Sequence, residues 1–333
     1  MALYRRSMMP KRFPILFITA SRIGDAVLSS GLIRALAEEI PAARFTVVAS
    51  ALTAPLFQNV PNLAQVIVME KRAFGLHWYR LWRRVRAKRW GLIVDLRGSG
   101  LSGLLMRQRR AVHKAGGPLV HKVIEAARLL KLDDRPPSPV LYSSETIDAD
   151  ADALVKGSGP ILAMGPATHW VGKTWPAERY AQVARALLGP GGALAGGRLM
   201  ILGGPDDRVA GAAVRSAVPK GRLIDLVGKI DLLTAHAVLK HARLYIGGDS
   251  GLMHVAAAAG TPTLGLFGPS NEALYAPWGP DARVVRGPRS FDDIRLRDPH
   301  LNHAVCHMMD LSVVRVVAAA KDLLAETTAG KSP

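Results

Sequence analysis

Cysteine is almost absent: Cys306 stands alone in 333 residues, which rules out an internal disulfide and suits a reducing compartment. A secreted, disulfide-stapled hydrolase does not fit that usage. Long apolar runs are missing too. No window of about 18 residues is free of charges or of repeated glycine and proline breaks, so no segment is expected to span a bilayer. The opening "MALYRRSMMPKRFPILFITAS" has early positive charge, but Pro14 interrupts its apolar run and no convincing cleavage site follows. It reads as a first strand, not a signal peptide. Gly-x-Gly-x-x-Gly does not follow that strand, and Gly-x-x-x-x-Gly-Lys-[ST] occurs nowhere. Dinucleotide dehydrogenases and P-loop NTPases therefore lose their main signals.

Acidic residues are outnumbered. Residues 1–150 carry 24 Lys and Arg against 11 Asp and Glu, a formal +13, whereas 151–333 carry 20 against 15, so that the first half supplies most of the chain's +18. That half is expected to face something anionic. Its basic residues cluster in "KRAFGLHWYRLWRRVRAKRW" (71–90) and "RQRR" (107–110). In the first cluster Leu76, Tyr79, Trp82, Val85 and Trp90 recur at near-helical spacing, with Arg80, Arg83, Arg84, Arg86, Lys88 and Arg89 between them. This is a basic amphipathic helix. Two readings stay open: one face packing on its own domain, or a surface for a membrane or anionic ligand.

What is abundant is ordinary globular material, 49% apolar and 21% charged, at a length that fits two domains. Apolar runs alternate with helical patterns. Strands are expected at 13–20, 44–50 and 91–97, with a helix at 25–41. A polar, proline-bearing stretch at 133–160 reads as a linker with one short helix. The alternation then restarts, with strands at 161–166, 198–204, 243–248 and 262–268 and helices at 176–188, 231–242 and 252–260. Such alternation implies parallel sheets with helices on both faces. The expected architecture is α/β: two Rossmann-like domains, 1–157 and 158–333, facing a central cleft, with the last helix free to pack back on the first domain.

Four segments carry chemistry. In "YIGGDSGLMHVAAAAGTP" (245–262) a strand runs through Gly247 and Gly248 into Asp249, Ser250, Gly251 and a helix, with His254 four residues after Ser250 on the same face. Ligands of parallel sheets bind at the carboxyl ends of strands, and free amides at a helix start attract phosphate. Gly-x-Ser-x-Gly fails at Leu252, so Ser250 is expected to bind rather than attack. A capped helix with a buried His254 and no ligand is the structural alternative. In the first domain, Gly24 and Asp25 follow strand one, and Asp25 suits either an N-cap or a general base. Thr168 and Lys173 lie in the loop after the first strand of the second domain. "ILGGPDD" (201–207) offers Asp206 after a strand.

Taken together and in this order, these segments resemble glycosyltransferase family 9, the ADP-heptose:lipopolysaccharide heptosyltransferases. The resemblance covers nearly the whole chain and is most specific at "LVGKIDLLTAHAVLKHARLYIGGDSGLMHVAAAAGTPTLGLFGPSNEALYAPWG". It implies the GT-B fold, with an acceptor on the first domain and an ADP-sugar donor mainly on the second. It implies Asp25 as the base and Lys173 as the stabiliser of the leaving diphosphate. Thr168, Asp249, Ser250, Gly251 and His254 become the donor cradle, and Asp206 and Ile230 lie near ribose and adenine. Arg22, where many members have Ser, and Gly24 fall on the acceptor side. Inverting transfer with no metal or other cofactor follows, as does an anionic lipid-linked acceptor. The location implied is the cytoplasm, peripheral on the inner membrane of a Gram-negative bacterium. The basic helix itself, with Arg80, Arg83, Arg84 and Lys88 set between aromatic residues, is expected to turn these four toward anionic lipid or the anionic acceptor. Another nucleotide sugar, a catalytically silent sugar-nucleotide binder and a basic nucleic-acid binder are the competing readings.

Overall fold

The computed structural model describes residues 12–71, 73–114, 116–301 and 305–329. The charged start at residues 1–11 lies outside them, whereas the first expected strand is present as β1 (Phe13–Ile18). No helix among the described residues is long and apolar enough to cross a membrane. The chain divides into two units, the first ending at Tyr142 and the second beginning at Ser143.

In the first unit β1 leads to α1 (Ile23–Leu28), α2 (Gly31–Glu39), β2 (Ala43–Ala49), β3 (Leu63–Val68), α3 (Leu76–Val85), β4 (Trp90–Asp95), β5 (Arg107–Val112) and α4 (Lys122–Arg128). The strands are all parallel, in the order β3-β2-β1-β4-β5. Central strands β1 and β4 bury Ile15, Leu16, Phe17, Ile18, Ile93 and Val94 completely, as unbroken apolar runs in a parallel sheet should.

Two sequence expectations are corrected here. The single helix at 25–41 is two helices broken at Ser29 and Ser30. Their hydroxyls donate back to the carbonyls of Asp25 and Val27 at 2.8 and 2.7 Å, and Ser30 Oγ also accepts the Val140 N–H at 2.9 Å. Serine bonding to the preceding turn competes with helix continuation. The buried stripe of α3 is also not the expected one. Leu81 and Val85 are buried with Trp78 and Trp82 packed beside them, while Leu76 and Tyr79 are more than half exposed.

The second unit comprises α5 (Glu145–Leu154), β6 (Ile161–Gly165), α6 (Ala177–Leu188), β7 (Arg198–Ile201), α7 (Ala212–Arg215), β8 (Leu223–Asp225), α8 (Leu232–Leu239), β9 (Leu244–Gly248), α9 (Gly251–Ala258), β10 (Thr263–Phe267), α10 (Glu272–Tyr275), β11 (Ala282–Arg286), α11 (Phe291–Arg297) and α12 (Val313–Ala329). Its parallel sheet has the order β11-β10-β9-β6-β7-β8. Counted from β6, this is the 3-2-1-4-5-6 arrangement of dinucleotide-binding sheets.

The division between units falls before α5, not at the expected 157. α5 packs on α8, where Lys240 Nζ donates to Ser143 Oγ at 2.8 Å and pairs with Asp148 at 3.0 Å, and His241 meets Asp152 at 3.1 Å. Val316, Ala320, Leu323 and Leu324 of α12 are buried in the second unit's own core with Trp175 and Tyr180.

Each sheet reverses its strand order once, between β1 and β4 in the first unit and between β6 and β9 in the second. Crevices at the carboxyl ends of strands beside such reversals are where open parallel sheets bind ligands.

Candidate active site

In the second unit, Lys173 and Asp249 meet across the reversal. Lys173 ends a short turn after β6, Asp249 follows β9, and Met164 of β6 pairs in register with Ile246 of β9. Lys173 Nζ lies 2.9 Å from Asp249 Oδ2, with both side chains only 11% exposed. A loop lysine would ordinarily reach into solvent; this one is drawn inward by a buried carboxylate. Ser270 Oγ donates to the same oxygen at 2.6 Å, and His254 Nε2 stands 4.0 Å from Oδ1. Burial pushes the Asp249 carboxyl up, but Lys173, His254 and the Ser270 hydroxyl outweigh it and hold the group below the usual carboxylate range. Asp249 is therefore an anion.

Ser250 is the N-cap residue of α9 but makes no side-chain cap bond, so the α9 first turn has no cap from its own side chain. Its Oγ is shut off from solvent and faces the buried Tyr245 phenol. Gly251 is the first residue of α9, and His254, 3% exposed, lies one turn in. The approach is close at Gly248, where a Cβ would sit 2.8 Å from Thr168 Cγ2. Glycine there lets the loops after β6 and β9 close on each other. The Thr168 hydroxyl itself donates to the Trp170 carbonyl at 2.8 Å and accepts from Thr174 Oγ1 at 2.7 Å, which fixes the shape of the Lys173 loop.

Asp206 and Ile230 lie in the loops after β7 and β8, which are joined by Gly228 N–H donating to the Gly203 carbonyl at 2.9 Å. Asp206 is exposed and Ile230 half-buried. The neighbouring Asp207, not Asp206, closes its turn by accepting Gly204 N–H at 2.7 Å.

In the first unit Arg22, exposed and extended, is the N-cap residue of α1 and offers no side-chain cap. Gly24 and Asp25 lie within the first helical turn, so Asp25 is not the cap. The half-buried Asp25 carboxylate stands at the carboxyl end of β1, beside the sheet reversal.

Sequence reasoning missed three supports. Asp95, fully buried at the end of β4, accepts Arg97 N–H and Ser99 N–H at 3.0 Å each and Ser99 Oγ at 2.7 Å, so it shapes the loop adjoining β1. Ser270 holds Asp249, and Arg286 holds Ser270 by donating to its carbonyl at 2.9 Å. The 306–311 segment anchors the Lys173 loop: His307 N–H donates to the Gly172 carbonyl at 2.9 Å, and Trp175 Nε1 to that of Leu311 at 3.0 Å. A polar residue directly after an apolar strand, as in "IVDLRGS" and "LFGPS", is the signal that could have found the first two. The third leaves no local pattern. Among the described residues no group of three or more His, Cys, Asp or Glu is arranged to hold a metal ion.

Residues 104–299 match the glycosyltransferase family 9 (heptosyltransferase) profile. The chain belongs to this family. It is 26% identical to lipopolysaccharide heptosyltransferase 2 of Salmonella typhimurium over 349 aligned positions, covering 94% of this chain and 99% of that protein. Among solved structures, the ADP-heptose LPS heptosyltransferase II of E. coli superposes with a TM-score of 0.74 at 23% identity, covering 95% of this chain and all of that one. A family 9 glycosyltransferase from Veillonella parvula gives 0.78 at 20%, covering 97% and 100%. This chain is thus a glycosyltransferase of the GT-B fold class, and its two parallel-sheet units are the two Rossmann-like domains of that class.

Proposed function

We propose that this glycosyltransferase moves a heptose from ADP-heptose to a hydroxyl of the lipopolysaccharide inner core, with inversion and without a metal ion. The observation that carries the reading is the Lys173–Asp249 pair at the mouth of α9, a largely shielded cation beside a helix start that lacks a side-chain cap. A leaving nucleoside diphosphate needs stabilised negative charge, and an ammonium with oriented helix amides supplies it. Asp249 and His254 then face the donor sugar, Gly251 lets the phosphates approach the backbone, and Thr168 and Ser250 shape the cradle from beneath. Asp206 and Ile230 are the assigned neighbours of ribose and adenine. On the acceptor side, Asp25 takes the proton of the attacking hydroxyl. The acceptor oxygen bonds to the anomeric carbon as the bond from that carbon to the diphosphate breaks, and attack opposite the leaving group inverts the centre. Arg22 and Gly24 flank the base. The relatives named above support the donor and the acceptor class, since their names state ADP-heptose and lipopolysaccharide.

The test is transfer by the purified enzyme from ADP-heptose to a heptose-deficient core lipid, followed by ADP release and product mass. Asp25→Asn should lower turnover about 10²–10⁴-fold while leaving donor affinity near that of the parent. Normal turnover of this variant at saturating substrate would remove Asp25 as the base. Transfer from a different nucleotide sugar with none from ADP-heptose would remove the donor assignment, and loss of activity on chelation would remove metal independence.

A further inference from the structure

Phe74 is fully exposed, and its backbone is left-handed with φ 52°. A bulky residue rarely accepts that conformation. Gly75 follows at φ 70°, so a tight turn carries the Phe74 ring outward just ahead of α3. The fold gains no burial from this ring.

The outward stripe of α3 continues the surface. Leu76 and Tyr79 are 52% and 56% exposed, and Arg80 and Arg83 share their side of the helix at one-turn spacing. The opposite stripe, Leu81, Val85, Trp78 and Trp82, already packs on the sheet. Trp82 Nε1 donates to the Leu104 carbonyl at 3.3 Å, which brings Leu104, 73% exposed, to the flank. Not every basic residue of the segment points away. Lys88 lies over the Trp90 ring at 4.6 Å and Arg84 reaches Gln65 Oε1 at 3.5 Å, so Arg80 and Arg83 are the outward cations. No Asp or Glu occurs between Lys71 and Val94.

We infer that the face formed by Phe74, Leu76, Tyr79, Arg80 and Arg83 seats this protein on an anionic lipid bilayer. Phe74 and Leu76 enter the acyl boundary, Tyr79 lies at headgroup depth, and the two guanidiniums meet lipid phosphates. The charge pattern matches the partner, and the aliphatic Leu76 and Leu104 favour an apolar phase over nucleic-acid bases, which ask for aromatic stacking. The inference is independent of the transfer reaction.

The experiment is co-sedimentation of the full chain with phosphatidylcholine vesicles, alone or with about a third phosphatidylglycerol, over a range of salt. Binding is expected only with the anionic lipid and should weaken as salt rises. Phe74→Ser should weaken it about tenfold, and Arg80→Glu with Arg83→Glu at least about tenfold. Phe74→Trp should bind like the parent and gain fluorescence quenching by lipids brominated in the acyl chain. Thermal midpoints and transfer to a soluble core fragment should stay at parental values, because none of these side chains packs in the core. If Phe74→Ser fails to fold, the charge reversal and Phe74→Trp still decide. Equal binding to neutral and anionic vesicles, or parental binding by both weakening variants, overturns the proposal. So does retention on single-stranded RNA, lost in the same variants, in the absence of vesicle binding.

Discussion

Lys173 and Asp249 are 76 residues apart in sequence and 2.9 Å apart in space, and the fold makes each the other's condition for burial. Removing one partner of a buried pair leaves the other charge uncompensated. Lys173→Met is therefore expected to cost about 3 kcal/mol of stability, the low end for such a change because Ser270 and His254 remain beside Asp249. Adding Asp249→Asn should recover most of that loss, since the stranded charge is gone, while ADP affinity stays low. Denaturant titration of the single and double variants checks this; an additive double variant would show that the two side chains do not interact. Ser270 gives a second prediction. Its hydrogen bond goes to an ionised carboxylate, worth about 1.5–3 kcal/mol, so Ser270→Ala should raise the donor KM more than it lowers kcat. Ser270→Thr, which keeps the hydroxyl, should restore both. Lys173 and Asp249 could be read from their places after apolar strands. Ser270 has the same kind of place after β10, but its partner Asp249 emerges only when β10 is laid beside β9.

At the scale of elements, strands with both faces covered announce themselves and edge strands do not. β1, β4, β6 and β9 are runs of buried apolar residues, so the sequence pattern reveals them directly. β5 reads Arg-Gln-Arg-Arg-Ala-Val and pairs only with β4, and backbone hydrogen bonding on one side gives it a place that its side chains do not declare. α3 was legible as a helix, but its orientation was not. Trp78 and Trp82 gain more by packing than Tyr79, so the stripe rotates toward them. α8 makes stability depend on pH. His236 is 3% exposed, and burial with the nearby Lys240 charge lowers its pKa to about 4, against the pull of its hydrogen bond to the Ala258 backbone and of Asp148. The folded state thus keeps His236 neutral, while the unfolded chain binds a proton below about 6.5. The stabilising contribution is fully present above pH 6.5 and is lost as pH falls toward 4, by about 3 kcal/mol in all. Urea midpoints measured between pH 7 and 4 should fall with a slope that His236→Gln reduces. An unchanged slope in that variant would mean that other groups carry the acid sensitivity.

The molecule as a whole is two units with separate cores and unequal charge, +16 over residues 1–142 against +2 over 143–333. The twofold organisation was legible because the βα alternation stops and restarts. The division point was not, because α5 has a polar sequence, and only its ion pairs to α8 and the burial of Ala151 assign it to the second unit. Separate cores allow ligand binding to be read unit by unit. If ADP binds the cradle, it stabilises the native second unit by mass action, about 2.7 kcal/mol at a hundredfold excess over Kd. Hydrogen exchange should then slow in the Lys173 loop, in Gly248–Ser250 and in the first turn of α9, whose amides are assigned to the diphosphate. Amides around Arg22–Asp25 and in the Asp95-held loop should exchange as before, since the nucleotide is assigned no contact with them. A lipid-free core oligosaccharide should give the reverse pattern. Protection of the α1 first turn by ADP alone, equal to that of α9, would move the nucleotide off the second unit and with it the roles given to Lys173 and His254.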